Sequence, residues 1–112
     1  MTNELFIKSY LSAKKKIEKK ESAMKLVAQK YDISYSGIKI MFSLLKHDRF
    51  VDIVEYSGLD KGFVSRTITD LSDKKVIKVI RTEKTNRVKS IVPNAKTKKI
   101  LSEVVKCYEK NM

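Results

Sequence analysis

"SGLDKGFVSRTITDLSDKK", residues 57–75, reads as the end of one helix, a glycine-led turn and a second helix. Gly58 can take the left-handed conformation that closes a helix. Asp60 is a good N-cap for the next one, which runs to about Lys74. Phe63 or Val64, Ile68 and Leu71 recur at helical spacing and mark its buried side. Lys61, Ser65, Arg66 and Thr69 share the opposite, exposed side.

Upstream, Phe50–Ser57 forms a short helix with Ile53 and Val54 inward. The "DISYSG" break precedes a helix capped by Ser34 or Ser36 and holding Ile38, Ile40, Met41, Phe42, Leu44 and Leu45. Apolar residues on all its sides imply burial on most of them. From Asn3 to Tyr31 one long helix is expected, because Phe6, Tyr10, Ala13, Ile17, Met24, Val27 and Tyr31 recur by threes and fours, with Lys20 filling the one gap. Downstream, "VIKVIRT" and "RVKSIVP" are rich in β-branched residues and enclose the polar "EKTN", the pattern of a hairpin. Their alternation is imperfect and leaves open which face is buried. Pro93 ends the hairpin and Asn94 caps a last helix with the stripe Ile100, Leu101, Val104, Val105 and Tyr108. The expected order is α-α-α-α-β-β-α, mainly α with a small β-hairpin wing.

Two helices joined by a tight turn and followed by a hairpin form a winged helix-turn-helix. In that arrangement the second helix enters the major groove and the hairpin reaches the backbone or the minor groove. Arg66 is the best base-reading candidate, through a bidentate contact to guanine, while Lys61, Ser65 and Thr69 fix register on phosphates. Gly62 permits close approach of backbone to phosphate, and an exposed Phe63 could touch a thymine methyl.

The stretch "DIVEYSGLDKGFVSRTITDLSDKKVI" resembles the helix-turn-helix of the MarR family of repressors, including its short SarA-like relatives, with Leu59, Val64, Arg66, Leu71 and Ile77 in step. "RTEKTNRVKSIVPNAKTK" resembles that family's wing and the start of the following helix, so the likeness spans Asp52 to about Lys99. Lys75 stands where the family usually has glycine, and Thr85 where it has an aspartate two residues before the wing arginine. The resemblance makes Arg87 a wing contact, and Arg81, Lys84 and Lys89 join it as candidate DNA contacts. It also implies a sequence-specific, homodimeric repressor on a pseudo-palindromic operator. Relatives often hold aromatic acids between the dimerisation and DNA-binding regions, but nothing in these residues identifies such a pocket.

The charge distribution fits a polyanionic partner. The 112 residues carry a net charge of +12, of which residues 1–31 hold +5, residues 60–92 +5 and residues 94–112 +3, while residues 32–59 sum to −1. Duplex DNA is the expected partner. Enzyme chemistry lacks materials: there is one His, one Cys and three scattered Gly, with no Gly-rich phosphate loop and no cluster of metal-ligand spacing. No cofactor and no metal is expected, and His47, following a helix end, reads as structural. The alternative function is a winged-helix interaction module or plasmid or phage accessory factor that reads no sequence. A membrane-surface role for the lysine-rich first helix is set aside, because a dimer explains its apolar stripe more simply.

A single domain is expected, divided into a dimerisation helix (1–31), a winged helix-turn-helix (34–93) and a C-terminal dimerisation helix (94–112). Phe6, Tyr10, Ala13, Ile17, Met24, Val27 and Tyr31, with Leu101, Val104 and Tyr108, are the expected dimer contacts. Cys107 shares the last stripe and is expected to be buried against a helix rather than to act as a redox switch. With no secretory signal and no apolar run of ~18 residues, the expected location is cytoplasmic, at the nucleoid.

Overall fold

A computed structural model describes residues 1–111; Met112, the last residue of the expected C-terminal segment, lies outside the described residues. Helices α1 (Asn3–Lys30), α2 (Tyr35–Ser43), α3 (Phe50–Ser57) and α4 (Lys61–Asp73) precede an antiparallel hairpin of β1 (Ile77–Arg81) and β2 (Val88–Pro93), and α5 (Ala95–Lys110) follows. The order and the α+β class are those expected from the sequence.

The core forms around α2. Ile38, Ile40 and Met41 are wholly buried, and α1, α3, α4 and α5 all pack on this nine-residue helix. Ser34 rather than Ser36 caps it, its hydroxyl accepting from the Gly37 amide at 2.9 Å. A Cβ at Gly37 would lie 2.8 Å from Ile33 Cγ2 and 3.3 Å from Leu71 Cδ2. Glycine there lets α2 lie against the chain that leads into it and against α4. On α4 it is Val64, not Phe63, that faces inward beside Ile68 and Leu71.

Three helices end in left-handed residues: Asp32 (φ 55°), Gly58 (φ 67°) and Lys75 (φ 60°). After α1 the Ile33 amide donates to Ala28 O and the Asp32 amide to Gln29 O; after α4 the Val76 amide donates to Leu71 O and the Lys75 amide to Ser72 O. Both are the paired bonds of a Schellman stop. Lys75 thus takes the conformation that glycine would take without strain, at a cost of about 1–2 kcal/mol for a residue with a Cβ. The start of α5 secures the same turn: Asn94 Nδ2 donates to Lys75 O at 3.1 Å, and the buried Thr97 hydroxyl donates to Val76 O. Asn94 also caps α5, accepting from the amides of Lys96 and Thr97.

In the hairpin Ile77 pairs with Pro93 and Val79 with Ile91, so Ile77, Val79 and Ile91 cover the core while Lys78, Ile80 and Lys89 point outward. A bulge between Ile80 and Arg81 pairs Arg81 with Val88 and leaves Lys89 as the extra residue. That extra residue is why the strands do not alternate cleanly in sequence. One further backbone bond, Ile91 N to Asp48 O at 2.8 Å, ties β2 to the segment between α2 and α3.

The first helix departs from the sequence expectation in how its stripe is used. The last turns of α1 pack against α5, so Val27, Leu101 and Val104 are buried within the chain itself and Met24, Tyr31 and Tyr108 are half-buried against the same core. These residues were expected to meet a second copy. For Val27 and Leu101 the chain itself supplies the cover, because α5, although shorter, runs antiparallel to α1 over its C-terminal part, while Met24, Val104 and Tyr108 border a groove beside that contact. Phe6, Tyr10, Ala13 and Ile17 remain exposed, on a segment in which residues 1–20 all face solvent. Cys107 is half-buried against the core of its own chain.

Tyr31 Oη donates to Glu103 Oε1 at 2.6 Å, and Lys30 Nζ lies 3.2 Å from Glu103 Oε2, clamping α1 to α5. The phenol's hydrogen bond, with help from Lys30, lowers the Glu103 pKa from its usual 4.5, and the same bond, with burial, raises that of Tyr31 from 10.0. Glu103 therefore adds stability above the ordinary carboxylate range that fades as acid titrates it in the folded state. Tyr31 adds stability at all pH below the ordinary phenol range that fades in alkali. Tyr31→Phe is expected to lower the melting temperature at neutral pH and to flatten its decline at both pH extremes, measured by thermal melts across pH.

Candidate nucleic-acid interface

Recognition of a duplex by a helix requires an exposed, rigid N-terminal half whose side chains are not already committed. Asp60 Oδ2 accepts from the amides of Gly62 and Phe63 at 3.1 and 3.3 Å, which satisfies the first turn of α4 and fixes its start. Lys61, Phe63, Ser65, Arg66 and Thr69 are all exposed. The Thr69 hydroxyl donates to Ser65 O at 3.1 Å, so toward a ligand it offers only acceptor lone pairs. Phe63, 38% exposed, stands on the surface one turn before Arg66 without a place in the core.

Gly62 is crowded only by side chains. A Cβ there would meet the capping oxygen Asp60 Oδ2 at 3.3 Å and the end of Arg66 at 3.4 Å, so the cap oxygen would have to shift by a few tenths of an ångström.

The wing contributes the second group of cations. Arg81, Lys84, Arg87 and Lys89 are exposed on the strands and at the tip. The tip is closed by Thr82 N to Arg87 O at 2.8 Å and Asn86 N to Thr82 O at 2.9 Å, with Asn86 left-handed at φ 54°. Thr85, in place of a carboxylate, shares a 2.6 Å hydrogen bond with the Thr82 hydroxyl, and Arg81 Nη1 donates to Asn86 O at 3.2 Å. Hydroxyls and backbone organise this tip, and among the described residues the Arg87 guanidinium has no hydrogen-bond or ion-pair partner.

Helix and wing meet across a cleft of about 500 Å³ lined by Ser65, Thr69, Ser72 and Asp73 of α4 and by Val79, Arg81 and Val88 of the wing, over a floor of Phe50, Ile68 and Ile91. Ser65, Thr69 and Arg81 are thus brought together, while Lys84 and Arg87 lie toward the hairpin tip and Lys89 at the bulge. Ser72 was missed in the sequence reading. Its signal was its spacing, seven residues after Ser65 on the same side of the helix. Among the described residues the only ion pairs are Lys30–Glu103 and Lys74–Asp70, so no cation of α4's exposed N-terminal half or of the wing is neutralised by a carboxylate. His47, by contrast, is half-buried and stacks on Tyr56 with ring centroids 5.2 Å apart, a packing role. Among the described residues no group of His, Cys, Asp and Glu could hold a metal ion, and no helix is long and apolar enough to cross a membrane.

A helix-turn-helix followed at once by a two-stranded wing, with α5 locked to the turn between them, decides the fold. The chain has a MarR-type winged-helix fold. The solved structure of YusO from Bacillus subtilis superposes with a TM-score of 0.70 at 19% identity, over 100% of this chain and 81% of that one. A MarR-family transcriptional regulator from Silicibacter pomeroyi matches with a TM-score of 0.69 at 6% identity, over 91% of this chain and 70% of that one. MepR from Staphylococcus aureus, solved in complex with DNA, matches with a TM-score of 0.64 at 18% identity, over 97% of this chain and 86% of that one. No protein-family model matches the chain, and comparison with curated protein sequences finds no relative. The MarR-type likeness therefore lives in backbone geometry, and side-chain roles rest on this chain's own residues.

Because Gly62 and Arg66 bear no load in the folded chain, Gly62→Ala and Arg66→Ala are expected to leave stability unchanged within about 1 kcal/mol. Urea denaturation of each variant checks this.

Proposed function

We propose that this protein is a sequence-specific, duplex-DNA-binding transcriptional regulator that works as a homodimeric repressor on a pseudo-palindromic operator. The observation that carries the reading is that the capped start of α4 and the wing, which share a cleft, expose Lys61, Arg66, Arg81, Lys84, Arg87 and Lys89, none of them in an ion pair among the described residues. Arg66 reads a guanine, Phe63 touches a thymine methyl, Ser65 and Thr69 position the helix on phosphates, and the wing cations grip the backbone. The fold shared with MepR, which was solved bound to DNA, supports the same docking.

The dimer supplies what α1 lacks. Phe6, Tyr10 and Ile17 are 62%, 52% and 55% exposed on a segment that no other element of the chain covers. A helix with such an apolar stripe is marginal on its own in water. A groove of about 280 Å³ lined by Met24, Phe42, Val104, Val105 and Tyr108, where α1, α2 and α5 meet, is the natural receptor for the same stripe of a second copy. Two-fold exchange of stripe and groove makes the contact self-complementary, and it sets two recognition helices about one helical turn of DNA, ~34–36 Å, apart.

Selection from a random duplex library tests the reading: dyad-symmetric sites are expected, bound with a steep salt dependence. Enrichment of no sequence would favour the accessory-factor alternative. Arg66→Ala is expected to lose ~1–3 kcal/mol on the selected site and to relax base choice at one position; gel shifts on variant sites check this. Phe6→Glu with Tyr10→Glu is expected to give a folded or partly folded monomer in sedimentation that has lost most of its affinity for the full site, because each half then binds without help from the other.

A further inference from the structure

The cations are segregated by type. All four arginines lie between residues 49 and 87, in the helix-turn-helix and wing, whereas α1 and α5 contain lysine alone. On α1 the exposed Lys8, Lys15 and Lys19 recur at spacings of seven and four and share one face. By the same helical spacing that face is opposite the stripe of Phe6, Tyr10 and Ile17. On α5 the exposed Lys99, Lys106 and Lys110 repeat the spacing of seven and four, opposite the buried Ile100, Leu101 and Val104. The two helices pack antiparallel, with Lys20 Nζ 5.7 Å from the Tyr108 ring centre and Lys30 on Glu103, so the lysine rows belong to one two-helix layer. Glu4, Glu18, Glu21, Glu103 and Glu109 also lie on these helices, and Glu103 is already engaged by Tyr31 and Lys30. Net charges of +5 over residues 1–31 and +3 over residues 94–112 survive that count.

This layer is not the reading surface. α4 packs chiefly on α2 and β1, while α1 and α5 pack on each other and on α2, and α5 also touches β2. Only the C-terminal end of α4 approaches the layer, where Lys74 Nζ donates to Asp32 O.

We propose that the lysine rows of α1 and α5 form a second duplex-binding surface, so that one protein dimer holds two DNA segments together. The proposal rests on the DNA reading of α4 and the wing. The second surface touches phosphates only, because lysine is a flexible point charge and neither helix has an arginine to pair bidentately with a base. Lysines seven residues apart stand about 10.5 Å apart along a helix. That is close to the ~10 Å spanned by three steps of a duplex strand. A bilayer suits the layer less well, because the stripe that would enter the headgroups is occupied by the second copy.

The test is capture between two duplexes. A bead-tethered duplex carrying the selected site is mixed with wild-type protein and a labelled duplex lacking that site. Recovery of label is expected, with a drop of about tenfold or more for the variant Lys15→Glu, Lys19→Glu, Lys99→Glu, Lys106→Glu, because each lost phosphate contact removes roughly 0.9 from the log-log salt slope. The same variant is expected to stay dimeric in sedimentation and to bind the tethered site within about threefold of wild type in gel shifts. The glutamine version of the four substitutions repeats the measurement without reversing charge. Wild type that binds its site but captures no label, or four-fold variants that capture as much as wild type, overturn the second surface and leave the first reading intact. Loss of site binding by wild type itself overturns both. Binding of phosphatidylglycerol vesicles with no capture of label assigns the rows to a membrane surface and overturns the proposal.

Discussion

Helix α4, the wing and the last helix all meet at one turn, Lys74–Val76, and the geometry of the protein depends on holding it. The turn is made by the two Schellman bonds that stop α4, and it is secured from outside by Asn94 on Lys75 O and Thr97 on Val76 O. The carbonyls of Leu71, Ser72, Lys75 and Val76 are thereby each given a donor. A lysine can occupy the left-handed position because these bonds offset its strain. The consequence is mechanical: α4 cannot change its angle to the wing without breaking the cap of α5.

Behind the turn, α2 acts as the common support. It is short, with Gly37, Ile38, Ile40, Met41 and Ser43 buried, and it touches every other helix, so α4 and the α1/α5 layer are coupled through one core. In the proposed dimer, a change in how two copies pack along α1 would be transmitted to the spacing of two α4 helices through close-packed side chains, which shift as blocks rather than deform.

Charge sets the other constraint. A 112-residue chain at +12 repels itself, and the two ion pairs among the described residues relieve little of that. A polyanionic partner, as proposed above, would relieve it directly. All four arginines lie in the helix-turn-helix and wing, beside Lys61, Lys84 and Lys89, whereas α1 and α5 carry lysine as their only cation.

Much of this was legible in the sequence because it is local. Gly58, Asp60 and Asn94 mark helix ends through bonds to their own neighbours, and the side of α4 bearing Lys61, Arg66 and Thr69 follows from a period of 3.6 residues. The left-handed Lys75 stayed hidden, because a Cβ normally argues against that conformation and it is stabilised only by its bonds with residues 72 and 94 and by the bond of Val76 to residue 71. The hairpin's faces were ambiguous, since a bulge exists only as a relation between two strands. The stripe of α1 was read correctly as apolar but not in its partition: periodicity shows which side of a helix is greasy, while what covers each turn depends on where an antiparallel α5 begins and ends. Sequence by itself determined the elements, their caps and the chemistry of the exposed faces. Tertiary structure alone decided which apolar residues are satisfied within one chain and which still await a partner, because burial is a property of two surfaces and not of one.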